Sequence, residues 1–131
     1  MRGKKIVLDL EFIPYRRKQE PYCVHEIIEI GAVALDADNE IYDEFQMYVK
    51  PQYGTVPPFV TAITGITNEM LVGQVSFSEA MQAFEAWLPQ EDSYRFYTWS
   101  GSDQHVFQAE AEWKERPLLC LLYTSPSPRD M

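Results

Sequence analysis

The chain has 131 residues, of which 46% are apolar, 14% aromatic and 24% charged, and its formal net charge is −9. This length and composition predict one globular domain, and no apolar run approaches the roughly 18 residues that a membrane-spanning helix needs. The acidic balance excludes bulk electrostatic attraction to nucleic acid or anionic membrane, but it is compatible with an enzyme that holds nucleic acid through bound metal ions. No secretory signal follows the N-terminal basic residues, and Cys23 and Cys120 have no ligand spacing, so we expect free thiols in a cytoplasmic protein.

The first predicted strand, Lys4 to Phe12, carries two acids on one face. KKIVLDLEF is a short apolar run of strand length. Side chains alternate along a strand, so residues 6, 8 and 10 point one way, and Asp9 and Glu11 point the other, roughly 6–7 Å apart. A divalent cation between the two carboxylates would relieve their repulsion and their loss of hydration. An isolated D-x-E is also common on ordinary exposed strands, so the rest of the chain has to decide.

A loop is predicted next, because Pro14 and Pro21 bracket a segment that cannot continue the strand. Arg16, Arg17 and Lys18 concentrate positive charge there. This charge favours contact with phosphate groups, or else marks an ordinary solvated loop.

Two further strands are predicted to form a hairpin. HEIIEIGAVALD is a largely buried strand, residues 36–40 have turn chemistry, and IYDEFQMYVKP resumes the strand pattern. Gly31, in mid-strand, indicates a bulge or a close approach of two backbones. With the first strand, this hairpin predicts a three-stranded antiparallel meander.

The middle of the chain is predicted to be helical. Phe59 to Thr64 would form a short helix that ends at Gly65, and Thr67 would cap a second one. Ser76 to Glu79 is a capping box, behind which apolar residues keep helical spacing until Pro89. We interpret this third helix as core-facing scaffold.

A fourth strand is predicted over Ser93 to Ser100, SYRFYTWS, and it follows a helix, so we expect it to lie parallel to its neighbour. Gly101 and Ser102 turn it into another helix. Asp103 thus lies at the end of a strand and the start of a helix, where ligands gather in open α/β sheets. The helix dipole alone also favours an aspartate there.

Taken together, these segments resemble the DEDD superfamily of 3′–5′ exonucleases, which includes proofreading subunits, RNase T and oligoribonuclease, with greatest similarity to the KapD-like and ERI-type enzymes. IVLDLEF resembles the first motif, with Asp9 and Glu11 as its acids, and YTWSGSDQHVF resembles the second, with Asp103. Between them, residues 64–67 form the usual T-G-I-T. The resemblance covers about Lys4 to Trp113. It implies an α/β, RNase H-like fold whose mixed sheet is an antiparallel three-stranded meander plus a parallel strand, incomplete at the C-terminus.

The resemblance also implies a reaction, the 3′–5′ hydrolysis of single-stranded RNA or DNA ends with two Mg²⁺ or Mn²⁺ ions. The catalytic and metal-binding residues would be Asp9, Glu11 and Asp103, with Asp9 bridging both ions. Phe12 would stack on the terminal base. The other expected substrate-binding residues are Thr64, Gly65, Ile66, Arg16 and Arg17.

A third motif of the superfamily, a general-base His or Tyr followed by a final Asp, is not found in the sequence. Neither His25 nor His105 matches its place, so we expect this chain itself to be inactive. An alternative of a different class is a DEDD-like module that holds nucleic-acid ends without cleaving them. A third is a scaffold whose acids lie on the surface.

The C-terminal segment predicts a boundary between residues 1–117, the N-terminal portion of an exonuclease domain, and residues 118–131, a non-native tail. CLLYTSPSPRD, from Cys120 to Asp130, resembles the translation of a transposase sequencing adapter. The alternative is a natural Pro/Ser-rich tail. We expect a truncation here to leave the outer edge of the strand over Tyr94 to Ser100 without a partner.

Overall fold

A five-stranded sheet forms the centre of the fold. The computed structural model describes residues 4–16, 23–89, 94–98, 101–114 and 124–125. The strand order is β3-β2-β1-β4-β5, in which β1, β2 and β3 pair antiparallel and β4 runs parallel to β1. The predicted meander and parallel strand are therefore confirmed. The elements are β1 (Lys4–Arg16), β2 (Cys23–Leu35), β3 (Ile41–Tyr48), α1 (Pro58–Thr64), α2 (Asn68–Leu71), α3 (Phe77–Trp87), β4 (Tyr94–Thr98), α4 (Gly101–Trp113) and β5 (Thr124–Ser125).

Strand β1 has the predicted alternation. Ile6, Leu8 and Leu10 are buried in the main core, whereas Asp9 is exposed and Glu11 is half-buried. The two acids therefore share the face of the sheet opposite the main core, as the sequence predicts.

The predicted loop after Phe12 is wrong at its start, because β1 continues through Pro14 to Arg16. Pro14 lies opposite His25 in β2. Strand β4 pairs only with residues 4–8 of β1, so the other side of β1 carries no described ladder at Pro14. A proline is tolerated on such an edge because its missing N–H breaks no ladder bond there.

Phe84 of α3 lies at the centre of the main core. Its ring contacts Phe45, Trp87, Phe96 and Phe107, with centroids 5.4–6.2 Å apart. Helices α3 and α4 thus cover the apolar face of the sheet. A second apolar cluster lies beneath α1 and α2 and consists of Ile13, Ile28, Val56, Val60, Ile66 and Leu71.

The predicted helix ends are confirmed. Gly65 has φ +78° at the end of α1, a backbone conformation that favours glycine. The Thr67 hydroxyl accepts a hydrogen bond from the Met70 N–H, and Ser76 and Glu79 form both bonds of the capping box.

The outer edge of β4 differs from the expectation of an unpartnered strand. Thr124 and Ser125 pair in parallel with Phe96 and Tyr97. An edge strand exposes unpaired N–H and C=O groups, which pair readily with any segment that can reach them.

None of the helices in the part of the chain described is long and apolar enough to cross a membrane.

The first prediction tests this core. We expect Phe84→Ala to lower the free energy of unfolding by about 3–5 kcal/mol, because it removes a buried ring and leaves a cavity. Phe59→Ala is the matched control, since Phe59 is 59% exposed and Phe84 is 0% exposed. Urea denaturation of the three proteins measures the difference. An equal loss for both variants would contradict the assigned core.

Candidate active site

Parallel pairing of β4 with β1 brings two acidic segments to one end of the sheet. The register runs from Lys4 opposite Tyr94 to Leu8 opposite Thr98. Strand β4 therefore ends opposite Leu8, the residue that precedes Asp9 in β1. Helix α4 begins three residues after Thr98, and its first turn holds Asp103, which is buried. The sheet therefore places the start of α4 beside the acidic part of β1.

The pKa of half-buried Glu11 is affected by the acids around it. Burial raises the pKa of its carboxyl above the ordinary value, and the negative charges of Asp9, Glu29 and Asp103 raise it further. Each of these carboxylates is therefore near enough to disfavour ionisation of Glu11. A cation bound among them would remove this repulsion.

The three predicted acids supply the oxygen ligands that Mg²⁺ and Mn²⁺ prefer, so their chemistry fits the expected ions. The side chains of the three acids do not converge on one metal position. No group of three His, Cys, Asp or Glu side chains in the described ranges is drawn together closely enough to hold a metal ion. The backbone thus brings the acids to one region, and the side chains lie apart within it.

Glu29 is an acid of this region that the sequence analysis missed. It lies directly opposite Glu11 in the register of β1 and β2, and its carboxylate accepts a hydrogen bond of 2.8 Å from Gln46 Nε2. The sequence predicted HEIIEIGAVALD to be a largely buried strand and gave its acids no role. Pairing that segment against the strand of Asp9 and Glu11 was the signal that could have found it.

An open trough of about 630 Å³ lies over the acidic face of the sheet. Asp9 and Gly31 are cross-strand partners in its floor. Because Gly31 has no side chain, the space beside Asp9 stays open, and a Cβ there would lie 3.4 Å from the Asp9 carbonyl oxygen. The other residues that line the trough are Val7, Ala32, Val33, Glu44, Phe45 and Gln46.

Phe12, the predicted base-stacking residue, is half-buried and packs against the main core. Its ring meets the His25 ring edge-to-face, with centroids 5.2 Å apart. Burial lowers the pKa of His25, and the charge of exposed His105 lowers it further. Phe12 can present only part of its ring to a ligand.

The T-G-I-T segment forms the turn after α1. The Thr64 hydroxyl donates to the Val60 carbonyl and accepts from the Ile66 N–H, at 2.9 and 3.0 Å. The Ile66 side chain is 2% exposed, so a ligand could reach this residue only through its backbone. Arg16 is exposed at the end of β1, and Arg17 lies outside the described residues.

A second acidic group, also missed in the sequence, is built around Lys114. Its Nζ lies 2.9 Å from Glu26 Oε2 and 2.7 Å from Glu110 Oε2, and both carboxylates are fully buried. Glu26 also accepts hydrogen bonds from the backbone N–H groups of residues 52, 53 and 54. The spacing of Glu110 and Lys114, four residues apart on one helix, was a signal of this pair.

The surroundings of Glu110 favour its protonated form. Burial raises its pKa to about 7, against the opposing effects of Lys114 and of the Ile27 N–H. One lysine thus serves two buried carboxylates.

We expect this group to make stability depend on pH. The pKa of Glu110 is higher in the folded protein, about 7, than its ordinary value of 4.5. The folded state therefore binds more protons between these values, and the contribution of Glu110 to stability, present below pH 4.5, is lost as the pH rises through 7. Urea denaturation from pH 4.5 to 8 should show that the advantage of the wild type over Glu110→Gln shrinks as the pH rises. Exposed Glu112→Gln is the control, and a difference that grows with pH would contradict the assignment.

Comparison with known proteins identifies relatives of this chain. The exonuclease family of RNase T matches residues 6–124. The chain is 37% identical over 81 residues to DNA polymerase III subunit epsilon of Pasteurella multocida, across 62% of this chain and 32% of that protein. It is 33% identical over 82 residues to human 3′-5′ exoribonuclease 1, across 61% of this chain and 24% of that protein.

Solved structures of two nucleases have the same fold as this chain. A full-length 3′-exonuclease superposes with a TM-score of 0.66 at 25% identity, covering 86% of this chain and 53% of that protein. Cell-death related nuclease 4 has the same fold, with a TM-score of 0.73 at 22% identity, covering 88% of this chain and 42% of that protein. The chain thus spans about a quarter to a half of the length of these proteins, and the predicted RNase H-like exonuclease fold is confirmed. The chain belongs to the exonuclease family of RNase T.

Proposed function

We propose that this chain carries the N-terminal portion of a 3′–5′ exonuclease site, which acts on the terminal phosphodiester bond of RNA or DNA. The observation that supports it best is that the first turn of α4 lies beside the β1 acids. Burial and the negative charges of Asp9, Glu29 and Asp103 together raise the pKa of Glu11 there. Family membership supports the same reaction class.

Asp9, Glu11 and Asp103 would hold two Mg²⁺ or Mn²⁺ ions in this proposal. Bound there, the ions would supply an activated water and stabilise the leaving 3′ oxygen. The carboxylates have two tasks of their own. They would hold the cations, which make the acidic end of the sheet acceptable to a phosphate group, and Glu11 would stay ionised once a cation offsets the repulsion from its neighbours.

The nucleic-acid end would lie along β1 and α1. Phe12 would offer the exposed part of its ring to the terminal base, and Arg16 would contact a phosphate. Phe59 and Ile63, one helical turn apart on α1, are 59% and 80% exposed and suit contact with bases. The Thr64–Gly65 turn would offer backbone groups to the same end.

Turnover by this chain is proposed to be weak. Without a positioned general base, we expect the rate of hydrolysis to be lower by about 10²-fold or more. We also propose that residues 118–131 are a non-native tail, which sequencing of the parent gene tests directly. A second candidate, an end-binding module without catalysis, is favoured by the same lack of a third motif.

The first test of this function is metal binding. We expect Asp9→Asn to weaken Mn²⁺ binding by about tenfold or more, since it removes a charged ligand with little change in volume. Electron paramagnetic resonance of free Mn²⁺ during a titration measures it. Asp38→Asn, in the exposed β2–β3 turn, is the control. Equal affinities for Asp9→Asn and the wild type would refute the proposed site.

A second test concerns the base. We expect Phe12→Leu, which keeps apolar volume in the core, to weaken binding of a single-stranded oligonucleotide by about 1–3 kcal/mol, the usual value of one stacked base. Fluorescence anisotropy in Ca²⁺ measures it. An oligonucleotide with an abasic 3′ terminus is the control and should bind both proteins equally. If the variant binds the intact oligonucleotide as the wild type does, Phe12 makes no stack.

The enzyme and the end-binding module then differ in one measurement. Because this chain is expected to turn over weakly, the measurement uses the full-length parent protein, in which Mn²⁺-dependent release of mononucleotides from 3′-labelled RNA or DNA, lost in Asp9→Asn, indicates the exonuclease. Oligonucleotide binding with no release indicates the module.

A further inference from the structure

A β-bulge on β2 lies opposite Glu11 and Phe12, two adjacent residues of β1 that the proposed function uses. Glu11 lies opposite Glu29, but Phe12 lies opposite Ile27, so Ile28 is an extra residue on β2. A bulge bends its strand, increases the local twist and re-aims the neighbouring side chains. This one lies across from a proposed metal ligand, Glu11, and the proposed base-stacking residue, Phe12.

The bulge is attached to helix α4 by Glu110. The Ile27 N–H donates a hydrogen bond of 2.6 Å to Glu110 Oε1. The Glu110 side chain is fully buried, two helical turns beyond Asp103. One side chain therefore joins the bulge to the helix that carries the third acid of the proposed site.

Glu110 is itself held in place. Lys114 Nζ binds its other carboxylate oxygen at 2.7 Å and reaches Glu26 at 2.9 Å. Glu26 is fixed in turn by the backbone N–H groups of residues 52–54, the nearest at 2.6 Å. With every oxygen bonded and water excluded, the Glu110 carboxylate has one orientation, toward Ile27.

We propose that Glu110 is a positioning residue that holds the β2 bulge in the register aiming Glu11 and Phe12 at the metal and nucleotide sites. This inference rests on the proposed function. Glu110 contacts neither site and acts through the Ile27 backbone. Without its acceptor, the buried N–H loses a partner, and the bulge is free to move along the strand, which turns β2 side chains to the other face.

Two substitutions separate the reach of this side chain from its charge. Glu110→Asp keeps the charge but is one methylene too short for Ile27. Glu110→Gln loses the charge but keeps an oxygen at full length for the Ile27 N–H, and its NH₂ group then faces Lys114, which lowers stability without removing the Ile27 acceptor. We expect Glu110→Asp to weaken Mn²⁺ binding by about tenfold, and Glu110→Gln to stay within about threefold of the wild type, since supporting residues of metal sites have effects of this size. Glu112→Asp and Glu112→Gln, on the exposed side of α4, are matched controls.

The outcomes are decisive. Loss in Glu110→Asp with rescue in Glu110→Gln supports positioning, whereas unchanged Mn²⁺ affinity in Glu110→Asp at a lowered melting temperature shows a purely structural role. If Glu110→Asp does not fold, Glu110→Gln decides, and about a tenfold loss there overturns the proposal. If the wild type itself binds no Mn²⁺, the proposed function fails instead. If only Asp9→Asn loses Mn²⁺, the function stands and this inference fails.

Discussion

The parallel pairing of β1 with β4 is the constraint on which the rest of the structure depends. Its register ends β4 opposite Leu8, so the chain turns into α4 beside the strand of Asp9 and Glu11. Asp103 then lies in the first turn of that helix, buried and within electrostatic reach of Glu11. The chain positions acids far apart in sequence through backbone hydrogen bonds, without any direct bond between their carboxylates being needed.

Two buried or half-buried acids on this scaffold have raised pKa values but different partners. Glu110 is bonded to Lys114 and to the Ile27 N–H, which offset part of the effect of its burial. The pKa of Glu11 is shifted by burial and by three other carboxylates, and no described cation is among those causes. A fold tolerates an uncompensated acid where another partner is supplied on binding. In the proposed site, Glu110 is a supporting residue and Glu11 a metal ligand.

Local sequence rules predicted most of this fold. The alternation of β1, the caps at Gly65, Thr67 and Ser76, and the parallel β4 all follow from short-range patterns. Pro14 was misjudged because its tolerance depends on an edge created by the distant β4. Glu29 and Glu110 were missed because their partners are set by strand register and by helix packing. The partner of Glu29 is not visible from neighbouring residues, and of the partners of Glu110 only Lys114, four residues along the helix, is.

The most direct test of the central claim is a crystal structure of the chain soaked with Mn²⁺ and a nucleoside 5′-monophosphate, the product class of 3′–5′ hydrolysis. We expect anomalous Mn²⁺ density between the carboxylates of Asp9, Glu11 and Asp103, with the nucleotide phosphate bound to the same ions. Mn²⁺ bound elsewhere, or a nucleotide placed away from β1 and α4, would contradict it.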